Sequence, residues 1–472
     1  VTRLRLHARE KKIERFVARR FLPRNRGYPT MKTNVFAAGE SRLKQAITGP
    51  ALFLFILGDV LGAGVYALVG KIAGEAGGAV WVPLLVALGF AMLTAASYAE
   101  LVTKYPKAGG AAVFAERAFG KPLVSFLVGF CMLAAGVTSA AGLSLAFAGD
   151  YLGAFLDTPA VPTALVFLAI VALLNARGIK ESLGANAVMT VIEVSGLLFV
   201  VVLAARFLMS GQGDPSRVLE FAPGVSPAIA VLGAALIAFY SFVGFEVSAN
   251  VAEEVKDVRR NYPRALFGAL LVAGLIYVGV GVAATAILPP AALAESSAPL
   301  LDVVRATGYA VPHGLFAAVA LVAVANGALL TMIMSSRLAY GMADAGLLPT
   351  VLTRVLPERR TPWLAIVLTT LLAMILTVTG TLTALAETVV LLLLFVFMST
   401  NVAVLVLRKD KIDAPHFRTP TLLPVLAILS CLVLLSQQGA GTWLRAGLLM
   451  ALGALLYGIG HWRKGRAAVS GD

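Results

Sequence analysis

Apolar residues in this chain neither alternate nor keep to one helical stripe; they come in runs of 16 to 27 residues separated by shorter polar stretches. A helix of about 20 residues crosses the hydrocarbon of a bilayer, and a helix apolar on all sides is one surrounded by lipid or by other helices. Twelve such runs can be marked: 46–70, 79–103, 122–148, 161–176, 185–209, 226–251, 263–287, 312–338, 361–380, 383–407, 419–436 and 442–461. The pattern predicts an all-α polytopic membrane protein with about twelve transmembrane helices.

Composition agrees. Mean hydropathy is +0.87 and charged residues make up 14%, against roughly 25% in soluble domains. The net charge of +14 would suit a nucleic-acid binder, but its distribution says otherwise. Apart from Lys71, Arg206, Arg217, Arg305 and Arg445, all 39 Lys and Arg residues lie in the termini or in loops after even-numbered runs. Short basic loops stay in the cytoplasm. Both termini are therefore expected inside a prokaryotic plasma membrane, and no nucleic-acid partner is implied.

Residues 1–45 form a basic cytoplasmic segment. Its first 30 residues hold ten Lys or Arg and two Glu. They could lie on anionic lipid. The favoured expectation is a misassigned start, because Val1 is what a GTG codon gives when read literally and Met31 opens a conventional "MKTN". An intact mass that included residues 1–30, in protein expressed from its native locus, would refute it. No secretory signal is visible. Cys131 and Cys431 fall in the third and eleventh runs, outside any C-x-x-C pattern, and read as packing residues.

Two runs carry residues that a simple anchor would avoid. "GDVLGAGVYALVG" (58–70) places Asp59, Gly62 and Gly64 inside the first run. Glycine costs about 1 kcal/mol against alanine in a helix, and an acid in hydrocarbon costs several more. "FYSFVGFEVSANVAEEVKDVRRNYPRAL" repeats the combination in the sixth run with Gly244 and Glu246. Gly58 and Gly62 alone would fit close helix packing; the recurrence favours functional breaks. Each break opens a block of five runs, 46–209 and 210–407, with 408–461 holding the last two runs and 462–472 a tail. Five is odd, so the blocks enter the membrane from opposite faces, as in inverted repeats whose unwound helices form a midplane site. Freed N–H groups at one break suit a carboxylate and freed carbonyls at the other an ammonium. A zwitterion carries both.

Four stretches carry a family resemblance: "GAGVY" (62–66), "YPKAGGAAVFAERAFG" (105–120), "FVGFEVSANVAEEVKDVRRNYPRA" (242–265) and "SSRLAYGMADAGLLP" (335–349). Together they resemble, in order, the amino acid–polyamine–organocation superfamily, near bacterial amino-acid permeases and the cationic amino-acid transporters. That resemblance implies a LeuT-type fold of 5+5 inverted repeats with broken helices 1 and 6, plus two further helices. It also implies roles. Backbone around Gly62, Ala63, Gly64 and Val65 should hold the substrate carboxylate, and carbonyls of Tyr240, Ser241 and Val243 its ammonium. Phe242 or Phe245 could act as a gate, or simply pack.

Acids at membrane depth are functional candidates, with a hydrogen-bonded structural acid as the alternative. Asp59 could orient the unwound backbone or carry a proton. Glu193, in "MTVIEVSGLL", stands where some proton-coupled relatives have lysine, so their scheme does not transfer. A buried carboxyl is stable when neutral, which makes Glu193 a candidate to load and release a proton. Alternatively it could ligate Na⁺ with first-helix carbonyls and the Ser335 hydroxyl. Protons are the favoured coupling ion. Glu246 is as suited to structure as to function. Asn326, Thr331 and Asn401 are expected to hydrogen-bond between helices.

The histidines His7, His313, His416 and His461 show no metal-ligand spacing, and there is no G-x-x-x-x-G-K-[ST] nucleotide loop; no cofactor is implied. The expected function is a secondary active amino-acid transporter working by alternating access as a proton symporter. Alternatives are an exchanger, a cationic amino-acid or polyamine carrier and, in another class, a non-transporting nutrient sensor. A membrane enzyme lacks a nucleophile–base or metal constellation, and an ion channel would not need paired breaks.

Overall fold

The computed structural model describes residues 47–469 except 108, 178–181, 345–346, 357–360 and 413. The expectations for the basic segment 1–45 and its start, and for the side chains of the tail, lie outside the described residues.

The described chain is helical, with seventeen α-helices. The first run becomes α1 (Gly49–Leu61) and α2 (Ala63–Ala76), parted at Gly62. Thr48 caps α1, its Oγ accepting the Ala51 N–H, and Pro50 follows in the first turn, where its missing N–H costs nothing. Next come α3 (Trp81–Lys104), the short α4 (Gly110–Phe119), α5 (Pro122–Phe147), the single turn α6 (Asp150–Gly153), α7 (Ala160–Arg177) and α8 (Ser182–Met209).

The second block begins with α9 (Pro227–Tyr240) and continues, after a turn, as a 3₁₀ helix over Phe245–Glu254. It goes on through α10 (Val258–Ile287), α11 (Pro290–Glu295), α12 (Pro299–Ala306), α13 (His313–Asp344), α14 (Trp363–Thr379) and α15 (Leu382–Leu407). Last are α16 (Leu422–Ser436) and α17 (Ala440–Val469). Among the described residues, ten spans are long and apolar enough to cross a membrane; α14 and α16 are shorter apolar helices. The protein is an all-α, multi-pass membrane protein.

The interrupted helices run antiparallel and are tied at both ends. Ile47 donates to the Glu254 carbonyl and Lys256 to the Ile47 carbonyl (3.0 and 2.9 Å). At the other end Ala79 donates to Glu220 and Ala222 to Ala76 (2.9 and 3.0 Å). These short bridges satisfy backbone groups that a helix end would leave open. Around the pair, α10 packs on both α1 and α3, and α9 packs on α2 and α3. A second group joins α5 to α13 and α15, and α7 to α14, while α8 leans on α1, α10 and α13. Helices α16 and α17 lie against α3, α5 and α15.

Close approach explains several small residues. A Cβ at Gly58 would collide with the Thr190 hydroxyl, so this glycine lets α1 meet α8. Asn326 donates to Asn186 (3.0 Å) and Asn401 to Thr94 (3.3 Å), joining helices as expected. Cys131 and Cys431 are free and buried. At the ends of α3 and α15, Arg408 grips Glu100 through two nitrogens (3.1 and 3.3 Å), and Lys104 donates to the carbonyls of Leu407 and Asp410. Beside them, burial and a bond to Asp410 push the Tyr105 hydroxyl above its usual range.

Candidate functional site

The two interruptions face each other. At Gly62 the backbone leaves helical geometry for one residue and α2 begins at once with Ala63. The first N–H groups of α2 therefore have no preceding turn to donate to. On the other side, α9 ends at Tyr240 and the chain turns through Ser241–Gly244, with Gly244 at φ +123, open only to glycine without strain. A Cβ on Gly64 would stand 2.7 Å from the Ser241 Cα, so the breaks touch backbone to backbone.

One hydroxyl fastens both. Tyr277 of α10, fully buried, reaches the Val60 carbonyl at 2.5 Å and the Ser241 carbonyl at 3.1 Å. Its ring packs edge-on to Phe242 at 5.3 Å. Nothing in the sequence marked Tyr277; it is one tyrosine in an apolar run. The 3₁₀ helix after the second break also has a local cause. Ser248 and Asn250 side chains donate three residues back, to the carbonyls of Phe245 and Val247, favouring the tighter turn.

Between the breaks lies a cavity. Asp59, Gly62, Gly64, Tyr240, Ser241, Val243 and Ser335 line it, together with Glu246, Asn250, Ser139 and Thr331. Its remaining wall is largely apolar, from Met132, Leu143, Met334, Leu338, Val389 and Leu393. On α13 the lining runs from Gly327 to Leu338, about 16 Å of helix. No Lys, Arg or His lines it among the described residues.

Other expected site residues lie elsewhere. Val65 is buried behind the break, and the side chain of Ala63 is outside the described residues. Phe242 packs on Tyr277, and Phe245 stacks on Phe397 at 5.4 Å beside Tyr98. Neither ring lines the cavity. The aromatic ring that does is Tyr240, whose hydroxyl meets Ser139 of α5 at 3.1 Å. Tyr240 also borders a smaller pocket with Thr383 and Glu387, so it divides the two spaces.

The three acids are in unlike settings. Asp59 lines the cavity, and its Oδ2 is buried with no hydrogen-bond partner among the described residues. Glu246 accepts the Gly244 N–H at 3.0 Å. Glu193 is fully buried on α8 outside the cavity, with both carboxyl oxygens unpartnered among the described residues. The Tyr66 hydroxyl donates to its backbone carbonyl. The Asn326 side chain neighbours Glu193, and Ser335 lies nine residues further along α13, about 13 Å. Ser335 turns to α5 instead, where its Oγ fills the place of a Cβ at Gly136. The structure does not gather Glu193 and Ser335 into one set of ligands.

A membrane-embedded helix bundle with paired breaks around a cavity is the architecture of a carrier. Comparison with known proteins narrows this. A family model described as amino acid permease matches residues 47–444, and the chain belongs to that family. It is similar to the branched-chain amino acid permease BcaP of Bacillus subtilis, with 27% identity over 89% of this chain and 94% of the relative. It is also similar to cationic amino acid transporter 9, chloroplastic, of Arabidopsis thaliana, with 30% identity over 70% and 60% of the two chains. The methylthioribose transporter of Bacillus subtilis matches at 27% over 88% and 93%. The protein is a transporter and not an enzyme.

Proposed function

We propose that the chain is a secondary active transporter that carries an amino acid across a prokaryotic plasma membrane by alternating access, with proton symport and both termini in the cytoplasm. The observation that carries this reading is the pair of helix interruptions meeting at one cavity. The amides of Ala63 and Gly64 take the substrate carboxylate at the positive end of α2, next to Gly62, whose own N–H is bonded to the Gly58 carbonyl, and the carbonyl end of α9 around Tyr240, Ser241 and Val243 faces the ammonium. The Tyr240–Ser139 bond closes one side of the cavity and opens when α9 and α5 separate. The antiparallel breaks support the 5+5 inverted-repeat reading, and the name of the branched-chain permease supports an amino-acid cargo.

Proton coupling is assigned to Glu193. It is buried, its carboxyl oxygens have no hydrogen-bond partner among the described residues, and it stands outside the cavity, so protonation can bias the α1–α8–α13 packing without touching the substrate. Its separation from Ser335 speaks against a sodium site shared by the two. A cationic amino acid is the second reading, favoured by Asp59 and Glu246 in a cavity without basic lining and by the likeness to cationic amino acid transporters.

The test uses purified protein in sodium-free liposomes preloaded with mixed amino acids. Saturable counterflow of one labelled amino acid, with added accumulation under an inward proton gradient that Glu193→Gln abolishes, is the expected result. Counterflow indifferent to the gradient would contradict proton symport and indicate exchange or sodium coupling.

A further inference from the structure

Among the described residues, Asp59 is the one cavity-lining acid with a buried carboxyl oxygen that has no hydrogen-bond partner. Its place is specific. A Cβ on Gly244 would lie 2.9 Å from the Asp59 carbonyl oxygen and 3.2 Å from its carboxyl carbon. The carboxyl group therefore sits against the turn that follows α9, where helix carbonyls end. The amides of α2 begin four residues beyond it, at Ala63. The other acid in the lining, Glu246, is already engaged by the Gly244 N–H.

A carboxylate taken out of water needs a counter-charge, and the cavity wall offers no Lys, Arg or His. The cargo can supply it. At the opposite break the protein offers only neutral N–H groups and a helix dipole, a weaker attraction for the substrate carboxylate than a full charge is for its ammonium.

We propose that Asp59 is the ion-pair partner of the substrate's α-ammonium, so that the amine is the obligatory recognition group and the carboxylate a secondary one. The carrier then takes apolar primary amines: amino acids with apolar side chains, which the Met132, Leu143, Met334 and Val389 wall accommodates, and their decarboxylated counterparts. This rests on the amino-acid transporter reading and adds amines to it. It also moves Asp59 from the coupling role expected of it to cargo recognition.

The experiment is leucine counterflow in liposomes, competed by 3-methylbutylamine, which lacks the carboxylate, and by 4-methylpentanoate, which lacks the amine. The expected result is competition by the amine within about tenfold of unlabelled leucine, the scale of losing a dipole-held anion, and none by the acid at a hundredfold excess. In Asp59→Asn the amine ceases to compete and the KM for leucine rises at least tenfold, while Asp59→Glu recovers part of both. Competition by the acid but not the amine would overturn the inference. So would counterflow of lysine without leucine, or an Asp59→Asn protein that loses gradient-driven accumulation but keeps the wild-type KM and amine competition. If no amino acid shows counterflow, the transporter reading itself fails; if leucine does and the amine does not compete, only this inference fails.

Discussion

At Gly62 the first interrupted helix leaves α-geometry for a single residue and resumes, whereas the second ends at Tyr240, turns through four residues and resumes as a 3₁₀ helix. The first break thus exposes the start of a well-formed helix, a row of N–H donors with the positive dipole end behind them. The second exposes the end of a helix, with carbonyls, and adds side chains: Asp59 against its turn, Glu246 on its glycine. One break is made of backbone alone; the other brings two acidic side chains against it. An asymmetric cargo with an anion at one end and a cation at the other matches that difference. Their common element is the Tyr277 hydroxyl, which holds a carbonyl from each side at a fixed spacing.

The comparison can be broken most severely at Gly64. In Gly64→Ala the new Cβ meets the Ser241 backbone at 2.7 Å, so the breaks must part; leucine counterflow should fall at least a hundredfold while membrane insertion and the folded yield by size-exclusion chromatography persist. Gly244→Ala adds strain at φ +123 and crowds Asp59. About 1–3 kcal/mol of strain should lower the melting temperature as well as transport, which separates it from Gly64→Ala.

Tyr277→Phe keeps the ring and removes the shared donor. The single O–H that the two buried carbonyls share is lost, and a cost of about 1–3 kcal/mol should appear as a five- to hundredfold rise in KM. Smallest is Ser139→Ala, which frees the Tyr240 hydroxyl from α5. A loss of about 1 kcal/mol from the closed side should speed counterflow a few-fold, measured as the initial exchange rate with saturating cargo on both sides.

Much of the scaffold was readable because a bilayer makes run length diagnostic. The twelve apolar runs reappear as ten long spans and two shorter helices. The breaks were readable because glycine and an acid are costly in hydrocarbon, so Gly62, Gly64 and Gly244 stand out. What was hidden depends on rotation and register. Phe242 is drawn onto Tyr277 by the turn, and Phe245 onto Phe397 by the 3₁₀ helix that it opens, a helix set by local Ser and Asn bonds rather than by hydrophobic pattern. A shared sodium site of Ser335 and Glu193 stayed open in the sequence as the alternative to protons, because only the antiparallel packing of α13 on α8 fixes their heights. Tyr277 and Ser139 carry no pattern at all; they matter only because α10 and α5 bring them to the breaks.

The most direct test of the central idea, cargo held between the two breaks, is protection of a cavity thiol. Thr331→Cys lines the cavity at a part-exposed position, the native Cys131 and Cys431 are buried, and Ser210→Cys in the exposed turn after α8 is a control. In liposomes, saturating leucine should slow modification of Thr331→Cys by a small charged thiol reagent at least tenfold and leave Ser210→Cys unchanged. Equal modification rates with and without leucine, in a Thr331→Cys protein that still performs leucine counterflow, would contradict the account.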